Sequence, residues 1–183
     1  MFDRAVVISL VRRPDRLEEL RERPLPSCVP PLQVYVAHDP TEAPPRYSLG
    51  QWGCWVSHRN VLLTALSQGV GSLLVLEDDV RFEDCFCEEM DALATLSWDI
   101  LMLGDMPDGT PPLRRPDGRL RGTYPFRTHA YAVRERGMRA LTSRLAFQTG
   151  PLDLAFGQVY RRVRTCVPSR PVTSQSGSRS DIT

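Results

Sequence analysis

The sequence contains no lysine: all 23 of its basic residues are arginine. They face 22 acids, which leaves a formal net charge of +1. So balanced a chain has no strong field to draw it to nucleic acid or to an anionic membrane. Long apolar runs are also missing. Nothing approaches the ~20 residues of a membrane span, so no stable membrane insertion is expected. The first apolar run, "AVVISL", is too short for the core of a signal peptide, and no small-residue cleavage site follows it. Paired cysteines are lacking too. The five cysteines (Cys28, Cys54, Cys85, Cys87 and Cys166) are odd in number and scattered. They form no C-x-x-C pair and no zinc-like spacing with the three histidines. Reduced thiols in a cytoplasmic protein are the simplest expectation from that pattern. There is also no glycine-rich, basic loop after the first apolar run, where a nucleotidyltransferase would normally carry one; the chain there reads "VRRPDR".

What is present is alternation. Apolar runs rich in β-branched residues predict strands at Arg4 to Leu10, Leu32 to Ala37, Ser72 to Glu77, Asp99 to Gly104, Thr128 to Val133 and Arg164 to Pro168. Between them, helical patterns cover Arg12 to Arg23, Gln51 to Gln68, Phe82 to Leu96, Arg134 to Leu145 and Leu152 to Arg162. In the second helix, Trp55, Leu62, Leu63 and Leu66 are expected on one apolar face. Strands alternating with helices predict an α/β fold with a mostly parallel sheet. No linker divides the 183 residues, so a single domain is expected, with a loose tail from residue 169. The loop from Asp105 to Gly118 is long enough to suggest a functional role.

The stretch "SLLVLEDDV" carries the chemistry. A continuously apolar strand, of the kind covered on both faces, ends in Glu77, Asp78 and Asp79. Ligands of open α/β sheets bind outside the carboxyl ends of the strands, and this triplet sits there. Three adjacent carboxylates repel one another and call for a counter-charge. Manganese or magnesium, which prefer carboxylate oxygens, would supply it. In extended chain, side chains alternate, so Glu77 and Asp79 are expected on one side and Asp78 on the other. A solvated acidic turn capping the next helix would account for the acids alone.

The surrounding pieces resemble glycosyltransferase family 25, in its expected order: "VVISLVRRPDRLEEL", "LGQWGCWVSHRNVLLTAL", "LLVLEDDVRFE", "WDILMLG", "HAYAVRERGMRAL", "GPLDLAF" and "SQSGSRSDI". The resemblance implies a GT-A-like fold, a nucleotide-diphosphate sugar donor (usually UDP-linked), a divalent metal and inversion at the anomeric carbon. It implies Asp79 and Glu77 as metal ligands. It also implies Ser57 and His58 on the donor and Asp153 of "PLD" as the base. From the residues themselves, Asp78, Arg12 and Arg16 are expected on the donor, and His129, Tyr131 and Asp105 on the acceptor side, where His129 and Tyr131 serve equally well as core. One departure is "AHDPTE", where the family often has Asp-Gly after the second strand.

Each residue also has an ordinary structural explanation. Asp153 begins a helix, where a carboxylate is favoured by the dipole. Ser57 and His58 project about 100° apart on a helix, so they form no hydrolytic dyad. The arginines after the first strand suit diphosphate oxygens but also suit solvent. Cys54 is expected as a small buried residue rather than a nucleophile. The expected activity is a metal-dependent glycosyltransferase, with a saccharide, protein, small molecule or modified nucleobase as acceptor. The alternatives are a non-catalytic sugar-nucleotide-binding protein of the same fold, and a nucleotidyltransferase.

Overall fold

The computed structural model describes residues 1–104, 113–121, 127–147 and 150–176. In chain order it contains β1 (Arg4–Ser9), α1 (Pro14–Arg21), β2 (Leu32–Val36), α2 (Leu49–Ser67), β3 (Ser72–Glu77), β4 (Val80–Phe82) and α3 (Phe86–Ala94). These are followed by β5 (Ile100–Met102), β6 (Ala130–Arg134), α4 (Glu135–Leu145), α5 (Leu152–Gly157), β7 (Thr165–Cys166) and β8 (Thr173–Gln175).

Six strands form one sheet in the order β2-β1-β3-β6-β5-β7. Five run in one direction and β6 runs against them, antiparallel to both β3 and β5. The expected α/β class and mostly parallel sheet are borne out. Alternation along the central strands builds two cores. Val6 and Ile8 of β1, Leu73 and Val75 of β3, and Tyr131 and Val133 of β6 pack toward α2, α4 and α5. Ala5 and Val7, Leu74 and Leu76, and Ala130 and Ala132 pack on the other face, toward α1 and α3. This double covering explains why "LLVL" shows no polar interruption.

Four expectations need correction. Leu63 lies on the exposed side of α2, and the buried face runs through Trp55, His58, Val61, Leu62 and Ala65. Polar Ser57 and His58 thus take places that an apolar count gave to leucine. Phe82 is not in a helix. It ends β4, which pairs with β8 in a small second sheet. The loose tail expected from residue 169 does not hold through residue 176, because Thr173–Gln175 is that partner strand. Finally, Cys28 and Cys87 are paired as a disulfide, against the expectation of reduced thiols; Cys54, Cys85 and Cys166 are free. No helix among the described residues is long and apolar enough to cross a membrane.

Candidate active site

The carboxyl ends of β1, β2 and β3 open into a cleft. Its cavity of about 90 Å³ is bordered by Arg12, Arg16, His38, Gly53, His58 and the acidic triplet. Several local devices shape it. Ser48 caps α2 in a reciprocal box with Gln51, fixing where the helix begins. Gly53 lets α2 approach the end of β2: a Cβ there would lie 2.6 Å from the carbonyl oxygen of His38. One turn later, the buried Ser57 hydroxyl donates to the carbonyl of Gly53 at 2.7 Å and accepts from the His38 amide at 2.8 Å. Ser57 therefore holds the cleft wall together.

The triplet divides, but not as alternation predicts. The chain turns at Asp78 and Asp79 instead of staying extended, so these two carboxylates converge. Arg16, buried on α1, reaches Asp78 Oδ1 at 3.4 Å and Asp79 Oδ2 at 3.7 Å. Ser9 at the end of β1 donates to Asp78 Oδ2 at 2.8 Å, and Gln175 of β8 donates to Asp79 Oδ2 at 3.2 Å. Asp79 Oδ1 is buried without a hydrogen-bond partner. Burial, helped by the charge of Glu77, raises the Asp79 carboxyl to about 6 despite Arg16. Burial also raises Asp78, against the pull of Ser9 and Arg16.

Glu77 faces a different environment. Its Oε1 lies 3.2 Å from His58 Nε2 and accepts from the Thr128 hydroxyl at 3.4 Å. His58 Nδ1 lies 3.0 Å from the Tyr131 hydroxyl, and the two rings stack. Burial pushes the Glu77 carboxyl up, but the hydrogen bond and charge of His58, with the charge of His129 and the bond from Thr128, leave it below its ordinary value. Cys54, one helical turn before His58, completes a group with His58 and Glu77 whose ligand atoms all lie within 4.8 Å of one another. Burial, with the charges of Glu77, Asp153 and Asp79, pushes its thiol well up.

A second cleft adjoins the first. Gln51, Thr128, His129 and Asp153 line it, and Cys54, Glu77 and Gln175 border both. Asp153 stands in the first turn of α5, after Pro151. Its Oδ1 accepts from the Leu154 amide at 2.9 Å. Its place is set by Gly150, whose φ of +132° suits glycine. The Gly150 backbone is held by the Tyr47 hydroxyl, through its amide at 3.0 Å and its carbonyl at 3.2 Å.

Residues 36–104, which include α2 and the acidic strand tip, match a known sequence pattern. The resemblance is to glycosyltransferase family 25. The matching pattern is described as glycosyltransferase family 25 (LPS biosynthesis protein). Among curated relatives, the human inactive glycosyltransferase 25 family member 3 is 31% identical over 76% of this chain and 28% of its own length. The zebrafish (Danio rerio) procollagen galactosyltransferase 1 is 28% identical over the same shares. The chain therefore spans little more than a quarter of these relatives. A solved glycosyltransferase involved in the glycosylation of the major capsid of PBCV-1 shares the fold, with a TM-score of 0.50, 11% identity and 96% of each chain covered.

Within this family 25 framework, the expected site residues separate. Arg16, His58, Glu77, Asp78 and Asp79 meet in the first cleft. Arg12 borders it too, but its Nε is paired at 2.8 Å with Asp39, where the family often has the Asp-Gly this chain lacks. Asp153 and His129 meet in the second cleft. His129 Nε2 lies 3.1 Å from the Thr173 hydroxyl, which ties the cleft to β8. Tyr131, expected on the acceptor side, is wholly buried and borders neither cleft; it acts on the site only through His58. Ser57 borders the first cleft, but it is buried and its hydroxyl is engaged by the Gly53 carbonyl and the His38 amide. Asp105 lies outside the described residues.

Sequence reasoning missed Ser9, Thr128 and Gln175. The first two are ordinary hydroxyls whose importance is set by strand register. Gln175 was visible only as the glutamine of "SQSGSRSDI".

Proposed function

We propose that this chain binds a nucleotide-diphosphate sugar, UDP-linked, in the first cleft and transfers the sugar, with inversion, to a hydroxyl presented in the second. The observation that carries this reading is the shared wall. Glu77, Cys54 and Gln175 separate a cleft holding Asp78 and Asp79 from one holding Asp153. Inversion needs a base on the face opposite the leaving group, and a carboxylate across a shared wall meets that need. Asp153 would take the acceptor proton, while Arg16 and the Asp78–Asp79 pair orient the diphosphate end.

Manganese or magnesium fits this site. Asp79 Oδ1 is a buried carboxylate oxygen without a partner, and one guanidinium serves two converging carboxylates. Asp79 and Asp78 would hold the ion. Glu77, the other ligand expected from the sequence, is engaged by His58 and Thr128 instead. When bound, such an ion neutralises charge on the departing diphosphate.

A second reading, a non-catalytic sugar-nucleotide-binding protein, is favoured by Arg16, which already occupies the space between the acids, and by relatives that are named inactive. Metal-dependent hydrolysis in a screen of nucleotide sugars tests the two. Slow release of free sugar from one donor supports the transferase. Saturable donor binding without any release supports the binding protein.

The disulfide suits an oxidising compartment better than the cytoplasm expected from the cysteine pattern. Alkylation of unfolded but unreduced protein should label three of the five cysteines. Labelling of all five would return the chain to a reducing compartment.

A further inference from the structure

The geometry points to a site for a zinc-class cation, distinct from the hard-cation position at Asp79, built from Cys54 Sγ, His58 Nε2 and a Glu77 carboxylate oxygen. Cys54 and His58 are four residues apart on α2 and so project from one face of it. Glu77 ends β3 and meets them there. The three ligand atoms lie within 4.8 Å of one another, and His58 Nε2 and Glu77 Oε1 are 3.2 Å apart. Ligand atoms around a tetrahedral zinc, with bonds of about 2.0–2.3 Å, stand about 3.3–3.7 Å apart. The His58–Glu77 edge is thus nearly at its final length, and the sulfur lies within 4.8 Å of both ligand atoms.

Supporting contacts are already in place. His58 Nδ1 is held at 3.0 Å by the Tyr131 hydroxyl, which leaves Nε2 directed at Glu77 and fixes the ring by stacking. The Thr128 hydroxyl orients the Glu77 carboxylate at 3.4 Å. A thiolate and a carboxylate balance the charge of a divalent ion without help from the neutral imidazole. Thiolate and imidazole select zinc, or cobalt as its spectroscopic substitute, over magnesium and manganese. Three protein ligands leave a fourth position. Because Cys54 and Glu77 border both clefts, that position is reachable from solvent and opens beside Asp153, where an oxygen ligand fits. Binding releases the proton of the Cys54 thiol. Among the described residues this is the one group of its kind, and the other free cysteines, Cys85 and Cys166, do not belong to it.

The test uses the whole chain, stripped with chelator and titrated with cobalt(II), then with zinc in competition. Wild type should develop a thiolate-to-cobalt charge-transfer band in the near ultraviolet that corresponds to one thiolate-bound cobalt per chain, and zinc should bleach it. Cys54→Ser should lose the band and bind zinc at least tenfold more weakly. Tyr131→Phe should keep the band and weaken zinc by roughly ten- to a hundredfold. Asp79→Asn should leave the band unchanged, although the proposed hard-cation site is broken. The absence of a band in wild type overturns the proposal even if Cys54→Ser fails to fold. A band that survives in Cys54→Ser overturns it as well. A band lost in Asp79→Asn overturns the distinctness of the two sites. Donor binding plays no part in these readouts, so failure of the transferase reading is separable from failure of this one.

Discussion

Glu77 and Asp79 stand two residues apart in one acidic triplet, yet the fold drives their carboxyls in opposite directions. Both are pushed upward by burial. Glu77 meets His58 and Thr128 and ends below its ordinary value, while Asp79 shares one arginine with Asp78, keeps an unpartnered oxygen and rises to about 6. The difference teaches that like charges at a strand tip need not share a role. The Glu77 side is a hydrogen-bonded network of a glutamate, a histidine and a tyrosine. The Asp78–Asp79 side is under-compensated, and under-compensated carboxylates in a cleft are where a cationic ligand is most attracted.

The largest expected effect lies across the shared wall. Asp153→Asn should keep donor binding and melting near wild type, yet lose sugar transfer by roughly a hundred- to ten-thousand-fold. If transfer continues at the normal rate and only melting drops, Asp153 is a helix-start residue and the second cleft lacks its base. Next is Arg16→Met. Removing one partner of a buried charge cluster should cost about 3–5 kcal/mol of stability, read by denaturant unfolding at neutral pH. A loss under 1 kcal/mol would mean that the acids are not relying on Arg16.

Asp79→Asn should act in the opposite direction on the metal-free protein. The folded protein holds the Asp79 proton more tightly than an ordinary aspartate of 3.8. Its ionised form therefore costs stability, with the cost appearing as pH rises above about 4 and complete above about 6. Asparagine should raise stability at pH 7.5 by about 3 kcal/mol and change little near pH 4. An equal gain at both pH values would show that charge is not the cause. The smallest effect belongs to the Glu77 side. Tyr131→Phe should cost about 1 kcal/mol, the worth of one hydrogen bond. A cost near zero would detach Tyr131 from the His58–Glu77 network.

Much of this was legible in the sequence, and the losses have physical causes. The strands β1, β2, β3 and β5 follow from apolar runs, because a doubly covered sheet tolerates few polar interruptions. The position of the triplet follows from the rule that ligands meet strand ends. The short β4–β8 pairing was hidden because three-residue strands carry too little pattern to stand out from a helix start or a tail. The division of the triplet was misjudged because alternation holds only in extended chain, and the turn at Asp78 and Asp79 cancels it. Tyr131 looked like a ligand because a tyrosine on a strand near a cleft has two faces to choose from, and only the packed α2 shows which one it takes. The Cys28–Cys87 pair joins positions 59 apart in sequence, which spacing alone does not bring together.

The central claim is that the acidic strand tip binds a donor nucleotide together with a hard cation. Calorimetric titration of UDP into wild type and Asp79→Asn, each with manganese and with chelator, tests it most directly. The account predicts at least tenfold tighter binding with manganese in wild type and no manganese effect in Asp79→Asn. Equal UDP affinity with manganese and with chelator in wild type would contradict it, and Arg16 would then be the only cation the strand tip uses.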